Sequence, residues 1–136
     1  MKDFSNVRGY RNKNPGNIRH GSKWQGLAPN QTDAGFCQFV SHEYGIRAIY
    51  KLMQTYQNKY GLNSIEAIIN RYAPPNENHT QNYINRCAAD LGISRDARIN
   101  TGDMKTLVAL AKAIVSVELG GNPYPDQTFI DAYKLM

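Results

Sequence analysis

From Ser41 onward the chain alternates between runs in which apolar residues recur every three or four positions and breaks built from Gly, Pro and Asn. Ile46, Ile49, Leu52, Met53 and Tyr56 mark one face of a helix that Ser41 caps and Gly61 stops, which predicts a helix over residues 42–60. Ile65, Ile68, Ile69 and Tyr72 predict a second, shorter helix, capped by Asn63 or Ser64 and ended by Pro74-Pro75. A third, started by Asn78 or Thr80, carries Tyr83, Ile84, Cys87, Ala88 and Leu91 to a stop at Gly92. Asp103 opens a fourth, through Leu107, Leu110, Ala111, Ile114, Val115 and Val117 to Glu118, with Gly120-Gly121 as its end. Apolar nearly all round, this helix is the predicted buried centre. Phe129, Ile130, Tyr133 and Leu135 predict one more helix after Pro123 and Pro125.

Before Ser41 the periodicity is absent. Gly9, Pro15, Gly16, Gly21, Gly26, Pro29 and Gly35 punctuate a polar stretch, and Phe36-Cys37-Gln38-Phe39-Val40 alternates like a half-buried strand. The expectation is a mainly α (α+β) fold with a small N-terminal β-hairpin and loop lobe. A chain of 136 residues, 41% of them hydrophobic, suits one domain spanning residues 1–136.

Composition narrows the partners. No stretch approaches the roughly 18 consecutive apolar residues of a membrane span, and the start, MKDFSNVRGYRNKN, lacks the apolar core of a signal peptide. The expectation is a protein made in the cytoplasm without membrane insertion, which reaches any outside site by another route. A net charge of +5 suits a polyanion such as nucleic acid or an anionic cell-wall polymer. Arg8, Arg11, Lys13, Arg19 and Lys23 lie in or before the opening loop, but no helix shows a basic recognition face, which ranks a nucleic-acid-binding module or inhibitor last. Two cysteines, Cys37 and Cys87, without CxxC or paired His spacing, predict no metal site, and no cofactor motif is present.

Glu118 is the first candidate for chemistry. At the C-terminal end of an apolar helix it faces the negative end of the helix dipole, and apolar surroundings disfavour its charge, so both effects raise its pKa. A carboxyl kept protonated near neutral pH can give its proton to a glycosidic oxygen. The plainer alternative is an exposed Glu on a last helical turn. Asp33, in the loop NQTDAGF, and Glu43, in the first turn after Ser41, are the candidates for a second catalytic carboxylate, although a turn residue and a dipole-favoured charge explain them structurally. Flat aromatic faces, amides and guanidinium groups grip sugar polymers, and Trp24, Tyr72, Tyr83, Asn14, Asn17, Gln31 and Arg47 are the candidates to do so. For Trp24 the alternative is an apolar plug under the loop.

The segment AIVSVELGGNPYP resembles the part of lytic transglycosylases and related lysozyme-like enzymes in which an apolar helix ends in Glu followed by Ser, Gly and Asn-Pro; here Leu119 stands in place of Ser. YAPPNENHTQNYI is similar to their Glu-Thr-x-x-Tyr segment, with Glu77 two residues out of step and Thr80 and Tyr83 in register. NPGNIRHGSKWQG with FCQFVSHEYGIRAI resembles small phage and prophage proteins, virion or lysozyme-like, that share an NPGNI…APPxEN pattern, and also the Asn-rich hairpin of flagellar-type glucosaminidases. Those glucosaminidases carry their catalytic Glu upstream of the hairpin, so the resemblance implies a circularly permuted order. It further implies cleavage of peptidoglycan glycan strands, with Glu118 as proton donor and Glu77, Thr80 and Tyr83 lining the cleft. A phage or prophage setting implies a virion-associated or released protein, with other phage proteins as partners. The rival is a catalytically inactive lysozyme-like virion protein that keeps the fold to bind. The enzyme reading requires the end of the Glu118 helix to lie beside the Asn14–Trp24 loop.

Overall fold

A computed structural model describes residues 2–76 and 78–136, and the most apolar helix lies at its centre. The helices are α1 (Arg8–Arg11), α2 (His42–Tyr60), α3 (Ile65–Tyr72), α4 (Thr80–Leu91), α5 (Met104–Leu119) and α6 (Asp126–Lys134). α5 packs against α1, α2, α4 and α6, while α3 leans on α4. Leu107, Leu110, Ala111, Ile114 and Val115 of α5 are fully enclosed, together with Ile46, Ile49 and Met53 of α2, Ile84 of α4 and Phe129 of α6. Among the described residues no helix is long and apolar enough to cross a membrane.

The expected caps hold three of the helices. Ser41 Oγ accepts from Tyr44 N at 3.2 Å, Ser64 Oγ from Ala67 N at 3.2 Å, and Asp103 from Thr106 N at 3.1 Å. Gly61, Gly92 and Gly120 close α2, α4 and α5 in the left-handed conformation. α4 differs from expectation. Its N-cap is His79, which makes no side-chain cap bond, and the Thr80 hydroxyl instead donates to Ala73 O at the end of α3.

The β-hairpin expected in the N-terminal lobe does not form. Two isolated antiparallel bridges, Arg19 with Phe36 and Leu27 with Phe39, are the extended pairings among the described residues. The reason is visible in the amides of the expected strand. Cys37 N donates to Ile18 O at 3.0 Å, Gln38 N to the Gln31 side chain at 2.8 Å, Phe39 N to Asn12 O at 3.0 Å and Val40 N to Gly26 O at 2.8 Å. Four successive donors go to four separate segments, so no ladder propagates. The single turn of α1 was equally unexpected; its N-cap, Val7, offers no side-chain acceptor.

Asn14 organises this lobe. It is fully buried; its amide donates to Ile18 O and Cys37 O at 2.9 Å each, and its carbonyl accepts from Ile18 N at 2.9 Å. The turn then rests directly on α2, where a Cβ at Gly45 would collide with Lys13 O and come within 2.8 Å of Pro15 Cδ. Asn14→Ala leaves Ile18 N and Cys37 O unpaired, Ile18 O keeping the Cys37 amide, and should lower unfolding free energy by about 2–4 kcal/mol. Urea titration of the variant checks this.

Candidate active site

Asn14 closes a turn that ends at Asn17, whose N–H donates to Asn14 O at 3.0 Å. Asn17 sits at φ 49°, in the left-handed region that asparagine tolerates better than branched or bulky residues. That conformation sends its side chain across the lobe to α5. Asn17 Nδ2 donates to Glu118 Oε1 at 2.9 Å, a contact spanning 101 residues of sequence. The end of the Glu118 helix therefore lies against the opening loop, as the enzyme reading requires.

Two tyrosines complete the surroundings of Glu118. Tyr72, the last residue of α3, donates its hydroxyl to Gly16 O. A Cβ at Gly16 would strike that hydroxyl and lie 2.8 Å from Ile49 Cγ1, so the close approach of loop to helix requires glycine. Tyr83 of α4 is buried, and its hydroxyl faces the Glu118 carboxylate without completing a well-formed hydrogen bond. Burial drives the pKa of Glu118 upward, against the opposing pull of hydrogen bonding from Asn17 and Tyr83. Burial and the Glu118 charge push both tyrosines well above their ordinary range, so their hydroxyls stay protonated. Lys2 Nζ donates to Leu119 O at 3.2 Å and Gly120 O at 3.0 Å, placing a cation on the last carbonyls of α5.

Glu118 stands where two surface grooves meet. One, of about 360 Å³, runs past Asn17, Arg19, Phe36, Tyr56, Arg71 and Tyr72. The other, of about 600 Å³, runs past Asn82, Tyr83, Arg86, Ser116 and Gly121. Glu118 and Asn78 line both. The two grooves thus adjoin at these residues, forming a trough with one carboxyl group, that of Glu118, at the junction.

Of the residues singled out from sequence, Glu118, Asn17, Tyr72 and Tyr83 converge on this trough. The others lie elsewhere. Asn14 has no capacity left for a ligand. Gln31 donates to Ala28 O and Gln38 O at 2.8 Å each, clamping its own loop. Arg47 Nε donates to Leu135 O at 3.1 Å, holding the end of α6. Trp24 is partly buried against the core with its indole N–H enclosed and unpartnered, which is the plug arrangement. Thr80 is buried and bonded to Ala73. Glu77 lies outside the described residues.

Neither candidate for a second carboxylate faces Glu118. Asp33 accepts from Arg8 Nε at 2.7 Å, Asn12 Nδ2 at 2.9 Å, Gly35 N at 2.9 Å and Phe36 N at 3.1 Å. The Arg8 guanidinium first, then Asn12 and the amides, hold its pKa far below the usual carboxylate range, so it is a permanent anion that fastens α1 to the loop. Glu43 occupies the first turn of α2 and lines neither groove. The trough residues missed from sequence are Arg19, Phe36, Arg71, Asn78, Asn82 and Arg86. Each is exposed or half-buried; the alternation that includes Phe36 signalled a strand and not a site, and the other five have no local periodicity to mark them.

Because the folded protein binds the Glu118 proton more tightly than the unfolded chain does, stability falls as pH rises from the ordinary glutamate range to the raised folded pKa. Glu118→Gln keeps an acceptor for Asn17 and removes that loss. The variant should be the more stable protein at pH 7 and gain nothing at pH 4. Paired melting curves at the two pH values check this.

No protein-family model matches the chain. It is 44% identical over 122 residues to Protein P5 of Pseudoalteromonas phage PM2, an alignment covering 87% of this chain and 74% of that protein. The chain belongs to the phage family of Protein P5.

Proposed function

We propose that the protein is a lysozyme-like enzyme that cuts the glycan strand of peptidoglycan, acting from the virion or released at the host cell wall. The observation carrying this reading is the position of Glu118: half-buried, raised in pKa, held by Asn17 and standing midway along a trough open on both sides. A polymer laid along the trough crosses one proton donor. Membership of a phage family supports a cell-wall substrate, since a phage must pass that barrier to enter or leave its host.

Protonated Glu118 gives its proton to the bridging oxygen as the bond from that oxygen to the anomeric carbon breaks. Asn17 Nδ2 donates to Oε1, which leaves Oε2 to carry the proton. Among the described residues Glu118 is the one carboxylate lining either groove; Asp33 is bound to Arg8, and Glu43 stands on the first turn of α2 and lines neither. That favours the lytic transglycosylase route: the new carboxylate takes the proton of the sugar's own C6 hydroxyl, whose oxygen closes on the anomeric carbon. No water is consumed and Glu118 ends protonated. The Tyr83 hydroxyl, protonated and facing the carboxylate, stabilises it between the two transfers.

The permuted order relative to the glucosaminidases has support in the contacts of Lys2. In that order the segment leading to the Asn14 turn would follow the Glu-bearing helix directly, and here Lys2 and Gly9 both touch the end of α5. A binding-only reading is favoured by Leu119, buried where the resembled segment carries Ser.

Digestion of purified peptidoglycan followed by mass spectrometry separates these readings. The wild type should release fragments with anhydro ends, each one water lighter than a hydrolysis product. Glu118→Gln should lose activity about 10²–10⁴-fold. Tyr83→Phe should lose about tenfold. Hydrolytic ends would reject the transglycosylase route, and absence of any release by the wild type would leave a glycan-binding protein.

A further inference from the structure

The two halves of the trough differ in charge. On one side of Glu118, Arg19 from the opening loop and Arg71 from α3 both line the wall. The Arg19 guanidinium lies 4.9 Å from the centre of the Phe36 ring, and that of Arg71 lies 3.8 Å from the Tyr60 ring and 5.4 Å from the Tyr56 ring. Stacking fixes the plane of a guanidinium while leaving its N–H edge free to meet a carboxylate two bonds at a time. Among the described residues neither arginine is paired with a carboxylate. On the other side, Arg86 is tied to both oxygens of Asp90 at 3.2 Å, and Asn82, Ser116 and Gly121 present amide, hydroxyl and backbone groups.

We propose that Arg19 and Arg71 bind a carboxylate borne by a substituent of the glycan strand, while the opposite half of the trough takes an uncharged part of it, so that these two arginines set the direction in which a strand is bound. The acid is either a carboxylate of the peptide stem or, on strands whose stem has been removed, the lactyl carboxylate which that removal sets free. This rests on reading the trough as a glycan site. Two guanidinium groups from separate elements on one groove suit an acidic substituent, whereas a uniformly neutral glycan would leave both without partners.

The test is calorimetric binding to the Glu118→Gln protein, which removes turnover from the measurement. Three probes of equal sugar length are used: peptidoglycan oligomers with peptide stems, the same strands stripped of peptide by an amidase, and neutral chito-oligosaccharide. At least one of the two acidic probes, stem-bearing or stripped, should bind roughly tenfold tighter than chito-oligosaccharide. Adding Arg19→Gln or Arg71→Gln should erase most of that preference while leaving chito-oligosaccharide affinity within about twofold, and Arg71→Lys should restore part of it. A preference for stem-bearing strands alone assigns the stem carboxylate, a preference for stripped strands alone assigns the lactyl carboxylate, and a preference for both means that the subsite takes either acid.

Equal affinity for all three probes, or arginine variants that weaken every probe alike with unchanged melting temperature, would overturn the subsite. Cleavage by the wild-type protein would then still stand. Conversely, an arginine-dependent preference without wild-type cleavage would uphold the subsite and end the catalytic reading.

Discussion

The hydrogen bonds of one buried asparagine decide where everything else can be. Asn14 saturates its side chain on the backbone of Ile18 and Cys37, joining the two sides of a lobe that has neither a sheet nor a long helix to hold it together. Such bonds are each modest, but the groups they satisfy are enclosed, and enclosed unpaired amides are costly. With Asn14 in place the turn is rigid enough to deliver Asn17 to a carboxylate on the far helix. Without it, Glu118 would face solvent on that side.

Glu118 in turn shows a conflict between folding and chemistry. A glutamate in this position weakens the fold at neutral pH, since its charge is poorly solvated and opposed by the end of its own helix. Lys2 relieves the helix carbonyls, and Asn17 steadies one carboxylate oxygen. Neither replaces the water that burial removes. A residue retained against such a cost is better explained by function than by stability.

The helical part of the molecule was legible in its residues for a physical reason. Ser41, Ser64 and Asp103 satisfy their own helix amides, and Gly61, Gly92 and Gly120 end the helices, so these boundaries rest on contacts within a few positions in the chain. Glu118 was legible on the same footing, because helix end and apolar surroundings are both local facts. The lobe was not. Asp33 reads as a free acid until Arg8 and Asn12 arrive from far away in sequence, and the alternation of Phe36–Val40 describes which side chains point inward without saying where the amides go. Arg19 and Arg71 share a groove only because α3 and the loop meet through Tyr72 and Gly16.

The dispersal of the 37–40 amides over residues 12, 18, 26 and 31 has a consequence for how this lobe can change over time. Surface loops ordinarily absorb inserted or deleted residues, because few contacts depend on their length. Here each of several short segments supplies one acceptor at a fixed place, so a single added residue in any of them displaces a partner of the same central run. Relatives that keep the trough should therefore vary the side chains of residues 12–40 while preserving their number, which is the behaviour of a packed core element rather than of a loop.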